Sequence, residues 1–133
     1  MNQIARIPAA KPSQTEDLAA FCKAAGDALR LDILRVLRSD SFGVLELAQI
    51  FDMRQSGMSH HLKVLANAGL VSTRREGNSI FYRRSLPVSE QPWHRLHSQL
   101  LSELDNQPDD AQLQQAIAAV HAQRAKLSRQ FFA

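Results

Sequence analysis

The sequence predicts a mainly α (α+β) fold in which a helix-turn-helix pair runs directly into a two-stranded β-hairpin, with further helices at both ends. Three observations predict it. Met58, Leu62 and Leu65 recur at helical spacing behind a shorter apolar segment and the turn Asp52-Met53-Arg54. After Gly69 the pattern changes to strand, with Leu70–Arg75 and Ile80–Arg84 flanking Glu76-Gly77-Asn78-Ser79. With 133 residues, 44% of them hydrophobic, the chain holds enough apolar material for one compact core and too little for two.

Residues 1–14 mix Pro8, Pro12, alanines and polar residues without apolar periodicity, and read as a flexible tail. Thr15, followed by Glu16 and Asp17, looks like a helix start, with Leu18, Phe21, Cys22 and Ala25 recurring on one face until Gly26. Asp27 is placed to cap a second helix whose stripe is Leu31, Leu34 and Leu37 with Ile33 beside it, closed by Ser39-Asp40-Ser41. A short helix from about Val44 to Phe51 is expected to turn Leu45, Ala48 and Phe51 inward. The next, from Gln55 to Ala68, stops at Gly69. Both Gly77 and Asn78 tolerate the positive φ that tight hairpin turns need. Pro87 and Pro92 punctuate a linker before a helix from Trp93 to about Leu104 with a stripe of Trp93, Leu96, Leu100 and Leu104. The last helix, about Ala111 to Phe131, repeats Leu113, Ile117, Val120, Arg124, Leu127 and Phe131 in steps of four and three; a dimer contact is the preferred use of that seam.

The net charge is only +3, but its distribution is uneven. Residues 54–84 carry six basic side chains (Arg54, Lys63, Arg74, Arg75, Arg83, Arg84) against Glu76, whereas acids outnumber bases by one in each flanking segment. A clustered basic stripe is the electrostatic footprint of phosphate contact. Cys22 is the sole cysteine, which excludes an internal disulfide and any Cys-x-x-Cys site; on the apolar side of the first helix it reads as a small buried hydrophobe. With no apolar run of about 18 residues and no secretory leader, the expected location is cytoplasmic, with no membrane partner.

If Met58, Leu62 and Leu65 dock on the preceding helices, then Gln55, Ser56, Ser59 and His60 point away at the N-terminal end, the end that enters the major groove of double-stranded DNA in helix-turn-helix proteins. Glutamine matches adenine bidentately, serine and histidine read base edges or phosphates, and Arg54, Lys63, Arg74, Arg75, Arg83 and the turn residue Asn78 can neutralise or hydrogen-bond phosphates. Strand alternation forbids all four hairpin arginines from facing DNA together, and Arg75 and Arg83 are favoured as the contacting pair. His61, on the flank of the buried stripe, reads as a packing residue.

In order and spacing, Gly26–Leu34, Gln55–Leu65, Gly69-Leu70-Val71, Arg75–Asn78 and Tyr82 resemble the ArsR-type winged-helix repressors over roughly residues 15–87. The resemblance implies a winged helix-turn-helix homodimer paired through its terminal helices, which binds an imperfect inverted repeat and releases it on meeting an inducer. It divides the chain into a tail (1–14), a DNA-binding and dimerisation domain (15–105) and a C-terminal helix (106–133) serving as dimer contact or linker to a missing domain. Family members that bind metal through cysteines in the third helix differ, since Val44–Ala48 contains none; His94 and His97, one turn apart, are the only weak metal candidates.

Ser41–Ala48, Ile80–Arg84 and the ending from Arg124 to Phe132 also look like the regulator part of proteins fused to S-adenosylmethionine-dependent methyltransferases. That likeness implies a regulatory fragment as the alternative function, and an inducer such as S-adenosylmethionine or S-adenosylhomocysteine. No glycine-rich cofactor loop is present, so no catalytic residue, resident cofactor or enzymatic activity is expected of the chain. A protein-binding winged helix that ignores DNA is the outlying reading.

Overall fold

The computed structural model describes residues 13–132. Within them the order is α1 (Gln14–Ala25), α2 (Ala28–Val36), β1 (Phe42–Gly43), α3 (Val44–Ile50), α4 (Gln55–Asn67), β2 (Val71–Glu76), β3 (Ser79–Arg84), α5 (His94–Asp105) and α6 (Ala111–Phe132). Most of the expected tail lies outside the described residues. Its end is ordered: Ser13 caps α1, its hydroxyl accepting from Glu16 N–H while the Glu16 carboxylate accepts from Ser13 N–H, a reciprocal capping box. The helix therefore starts one residue earlier than Thr15.

Two helix stops frame the helix-turn-helix. After α3, Asp52 adopts φ +50°, Met53 N–H reaches Ala48 O at 2.9 Å and Asp52 N–H reaches Gln49 O at 3.2 Å. After α4, Gly69 adopts φ +77°, with Leu70 N–H on Leu65 O at 2.9 Å and Gly69 N–H on Ala66 O at 3.0 Å. Both are Schellman motifs, which satisfy the last carbonyls and redirect the chain. The second seats Leu70 in the core beside Leu65 and launches β2.

The sheet has three antiparallel strands in the order β1-β3-β2, not the two expected. Phe42 and Gly43 pair with Tyr82 and Phe81; a strand of two residues carries no readable alternation, and only the fold exposes it. In the hairpin, Glu76 pairs with Ser79 around a two-residue turn in which Gly77 alone takes positive φ (+60°), the arrangement of a type II′ turn.

The core gathers Phe21 and Ala24 of α1, Ile33, Leu34 and Val36 of α2, Phe42, Leu47, Ala48 and Ile50, the α4 stripe Met58, Leu62 and Leu65, then Leu70, Val71, Leu101, Leu104 and Val120. Several expected faces are corrected. Cys22 is exposed, because Phe21 and Ala24 set the buried side of α1. Leu31 is only half-buried. Leu45 is 65% exposed: it lies two residues from Leu47, about 200° around the helix, so burying Leu47, Ala48 and Ile50 turns it out. In α5 the inward stripe is His97, Leu101 and Leu104, with Trp93 at the cap and Leu96 left open.

Two arginines staple the helices. Arg30 donates through Nε to Ala24 O (2.7 Å), through Nη2 to Lys23 O (3.1 Å) and through Nη1 to His61 Nδ1 (3.2 Å), joining the end of α1 to α4. Because a guanidinium only donates, His61 Nδ1 accepts and its proton sits on Nε2. Arg84 donates to Leu34 O (3.1 Å) and to Asp105 Oδ2 (2.6 Å), tying β3 to α2 and α5.

Helix α6 packs Val120, with Leu113 and Ile117, on the chain's own core. At the next seam position Arg124 donates to both Glu46 carboxylate oxygens (2.6 Å each), Asp40 Oδ2 (3.0 Å) and Ser41 O (2.8 Å), its guanidinium 5.0 Å from the centre of the Phe42 ring. Burial by itself would raise the Glu46 pKa, but the hydrogen bonds from Arg124 and Gly43 N–H outweigh it and hold the carboxyl below its ordinary value. Leu127 is open to solvent, and the Phe131 side chain lies outside the described residues.

His97 is 1% exposed, edge-on to Phe21 with ring centroids 5.5 Å apart; Nδ1 lies 3.3 Å from Gln91 Oε1, and buried Nε2 has no hydrogen-bond partner among the described residues. Burial first, then the Arg84 charge, pushes its pKa down. Burial also lowers the His61 pKa. A histidine whose folded-state pKa lies below its unfolded value of about 6.5 adds stability that is complete above that value and is lost as pH falls through the folded-state pKa. The melting temperature therefore drops between about pH 7.5 and about pH 5.5, and His97→Gln shrinks the drop. Thermal melts of both proteins at the two pH values check it, equal drops contradicting the buried ring as a cause.

Candidate nucleic-acid interface

Docking of Met58, Leu62 and Leu65 fixes which side of α4 faces solvent. Ser56, Ser59, His60 and Lys63 form an exposed arc opposite that stripe, and Gln55 and Arg54 stand exposed at the helix entrance. Arg54 is the N-cap, with extended backbone (φ −69°, ψ 146°), and the first turn holds no acidic residue. The open N–H groups and positive end of the helix dipole thus share a surface with Arg54 and Lys63. Gly57 lets Met53 close over this turn: a Cβ there would meet Met53 Cε at 2.9 Å.

The hairpin register sorts the arginines. Arg74 faces Phe81 and Ser72 faces Arg83, so Arg74 and Arg83 share one face of the ribbon; Arg75, opposite Ile80, shares the other with Arg84. The favoured pair Arg75 and Arg83 is thus divided between the faces. Arg84 is taken by Asp105 and Leu34 O, with its side chain 9% exposed. Arg83, near the hairpin base, donates to Ser72 Oγ at 3.3 Å; Arg74 meets Glu76 at 3.2 Å in an open ion pair, and Arg75 and Asn78 are exposed. All ten residues predicted from sequence to meet DNA are exposed, in two groups: the entrance and outer arc of α4, and the hairpin.

The weak metal candidates do not form a site. His94 Nδ1 lies 3.3 Å from Gln91 O and His97 is turned into the core, rather than both being solvated. Among the described residues no group of three His, Cys, Asp or Glu side chains is placed to hold a metal. No helix there is long and apolar enough to cross a membrane.

Sequence reasoning missed a groove of about 750 Å³ beside the hairpin. The start of α3, the hairpin end of β3, Arg124 and Leu127 of α6, and Gln55, Arg74 and Asn78 line it. The exposure of Leu45 that opens it follows from the α3 face, which the sequence pattern misassigned.

A family profile described as a helix-turn-helix domain matches residues 25–74. The chain is similar to the transcriptional activator HlyU of Vibrio cholerae, 36% identical over 80 residues that make up 58% of this chain and 74% of that protein. It is 40% identical over 77 residues to a biofilm growth-associated repressor of Agrobacterium fabrum, a match covering 58% of this chain and 65% of that one. The chain spans between 44% and 65% of the length of that repressor and two further relatives. Among solved structures, it superposes on the homodimeric winged helix-turn-helix DNA-binding domain of a possible ArsR-family regulator from Mycobacterium bovis, with a TM-score of 0.57 and 27% identity, over 75% of this chain and 94% of that one.

Proposed function

Since the chain belongs to the ArsR family of winged-helix transcriptional regulators, we propose that it is a sequence-specific DNA-binding repressor that acts as a homodimer and is released by an inducer. The observation that carries this reading is the joint presentation of an acid-free α4 entrance (Arg54, Gln55, Ser56, Ser59, His60, Lys63) and a basic hairpin (Arg74, Arg75, Asn78, Arg83). The α4 residues enter the major groove and read bases; the hairpin meets phosphates or the neighbouring minor groove.

Dimerisation uses the outer stripe of α5, where Trp93 and Leu100 are half-buried and Leu96 is open, with Leu18 of α1 beside it in the proposed interface. Residues 13–105 supply the DNA-binding and dimer surfaces, and α6 is an addition braced on them. The proposed inducer is a small molecule.

Light scattering at micromolar concentration is expected to give the mass of two chains, and Leu96→Glu to halve it. Selection of bound DNA by the purified protein yields the operator. On it, Gln55→Ala, Ser59→Ala and His60→Ala each cost about 1–3 kcal/mol with little loss on random DNA. Equal losses on both would reassign them to phosphate contact. Arg75→Ala lowers the slope of log affinity against log salt by about 0.9 per subunit, and Arg74→Ala and Arg83→Ala, on the other face and engaged by Glu76 and Ser72, each by less than half of that. Arg84→Ala leaves the slope unchanged and lowers the melting temperature.

A further inference from the structure

Three of the six residues with large exposed apolar side chains among those described line one groove: Leu45 of α3, Ile80 of β3 (43% exposed) and Leu127 of α6 (54%). They come from three elements, so no single amphipathic face explains them. Clustered open apolar surface in a concavity of this kind marks a binding site more often than chance exposure. The floor is built, its charged groups tied to one another. The Arg124 guanidinium lies 5.0 Å from the Phe42 ring centre and 5.9 Å from that of Phe81, and all three of its nitrogens are already committed to Glu46, Asp40 and Ser41 O. Unlike the floor, the rim has polar groups to offer: the Gln55 and Asn78 amides, the Ser79 hydroxyl, and the outer edge of β3 at Ser79–Ile80, where β1 has already ended.

We propose that this groove is the effector site, taking an uncharged or cationic, flat, mostly apolar small molecule with a few hydrogen-bonding groups. Three arguments select that occupant. The volume, about 750 Å³, suits a single drug-sized ligand. A second copy of the chain would need about 800 Å² of contact per partner, far beyond three open side chains. The lining holds Asp40, Glu46 and Glu76 against Arg74 and Arg124, so acids outnumber bases by one, which disfavours an anion and with it the DNA backbone.

The site acts on the DNA surface through its rim. Gln55, Arg74 and Asn78 belong both to the groove and to the proposed interface, so a molecule lodged between α6 and the hairpin competes with the operator for them. This coupling rests on the regulator reading above; the pocket itself does not.

Nile red, a neutral flat fluorophore, is the probe. Titrated into the full chain, it is expected to give saturable enhancement that Leu45→Gln and Leu127→Gln each weaken about tenfold and Leu86→Gln, at an exposed apolar position outside both the groove and the dimer stripe, leaves unchanged. Saturating operator DNA is expected to displace the dye, while both groove variants keep wild-type melting temperature and operator affinity. Enhancement lost only in Leu86→Gln, or equal in all four proteins, would overturn the pocket. So would a groove variant that lowers the mass in light scattering, since a second copy would then be the occupant. Dye binding that the operator leaves untouched would overturn the effector role. A wild-type chain that binds no DNA at any salt concentration would overturn the regulator reading and the effector role with it, while the dye titration still decides the pocket.

Discussion

Docking of Met58, Leu62 and Leu65 on the core is the constraint from which the presentation of α4 follows. Three fully buried side chains on one face leave α4 a single rotational setting, because rotating the helix by one residue would expose them. Their loss to solvent would cost several kcal/mol, on the order of 1.5–3 for each side chain. That setting sends Ser56, Ser59, His60 and Lys63 to the outer arc. The entrance is set as well, since the Schellman turn at Asp52 redirects the chain into it.

Around that frame the arginines divide into two populations that composition cannot separate. Arg30 and Arg84 end on backbone carbonyls and on His61 or Asp105, and Arg124 on two carboxylates and a carbonyl. Each joins elements distant in sequence, and its planar, multiply donating head suits it to do so. Arg54, Arg74, Arg75 and Arg83 stay exposed; Arg74 is held only by an open ion pair with Glu76 and Arg83 by a hydrogen bond to Ser72, and all four lie where a polyanion can reach them. The basic cluster of residues 54–84 is therefore smaller in effect than in count, because Arg84 holds the hairpin base to the helices.

The Arg124 network gives α6 a fixed position relative to the start of the helix-turn-helix. Glu46 both accepts from Arg124 and caps Gly43 N–H at 2.9 Å, so one carboxylate links the last helix to the first turn of α3 and to β1. His121 adds a second contact, its Nε2 2.9 Å from Asp40 Oδ2 and its ring stacked on Phe42. A displacement of α6 is thereby coupled to α3 and the sheet edge through hydrogen bonds with defined geometry, the kind of connection over which an effector and a DNA surface can exchange free energy.

What the sequence by itself determined is whatever is written in local periodicity and local turn chemistry. The α4 stripe, the Gly69 stop, the Asp27 cap, the Gly77-Asn78 turn and the exposure of the ten interface residues all follow from neighbours within a few positions. Tertiary structure decided the rest. The two-residue β1 has no period to read, and the inward faces of α3 and α5 depend on which neighbours arrive, leaving Leu45 and Leu96 open and burying His97. Which arginines serve the fold was likewise settled by tertiary partners as far as 84 residues away. The groove between α6 and the hairpin exists only because three such long-range decisions meet, and no window of sequence contains them.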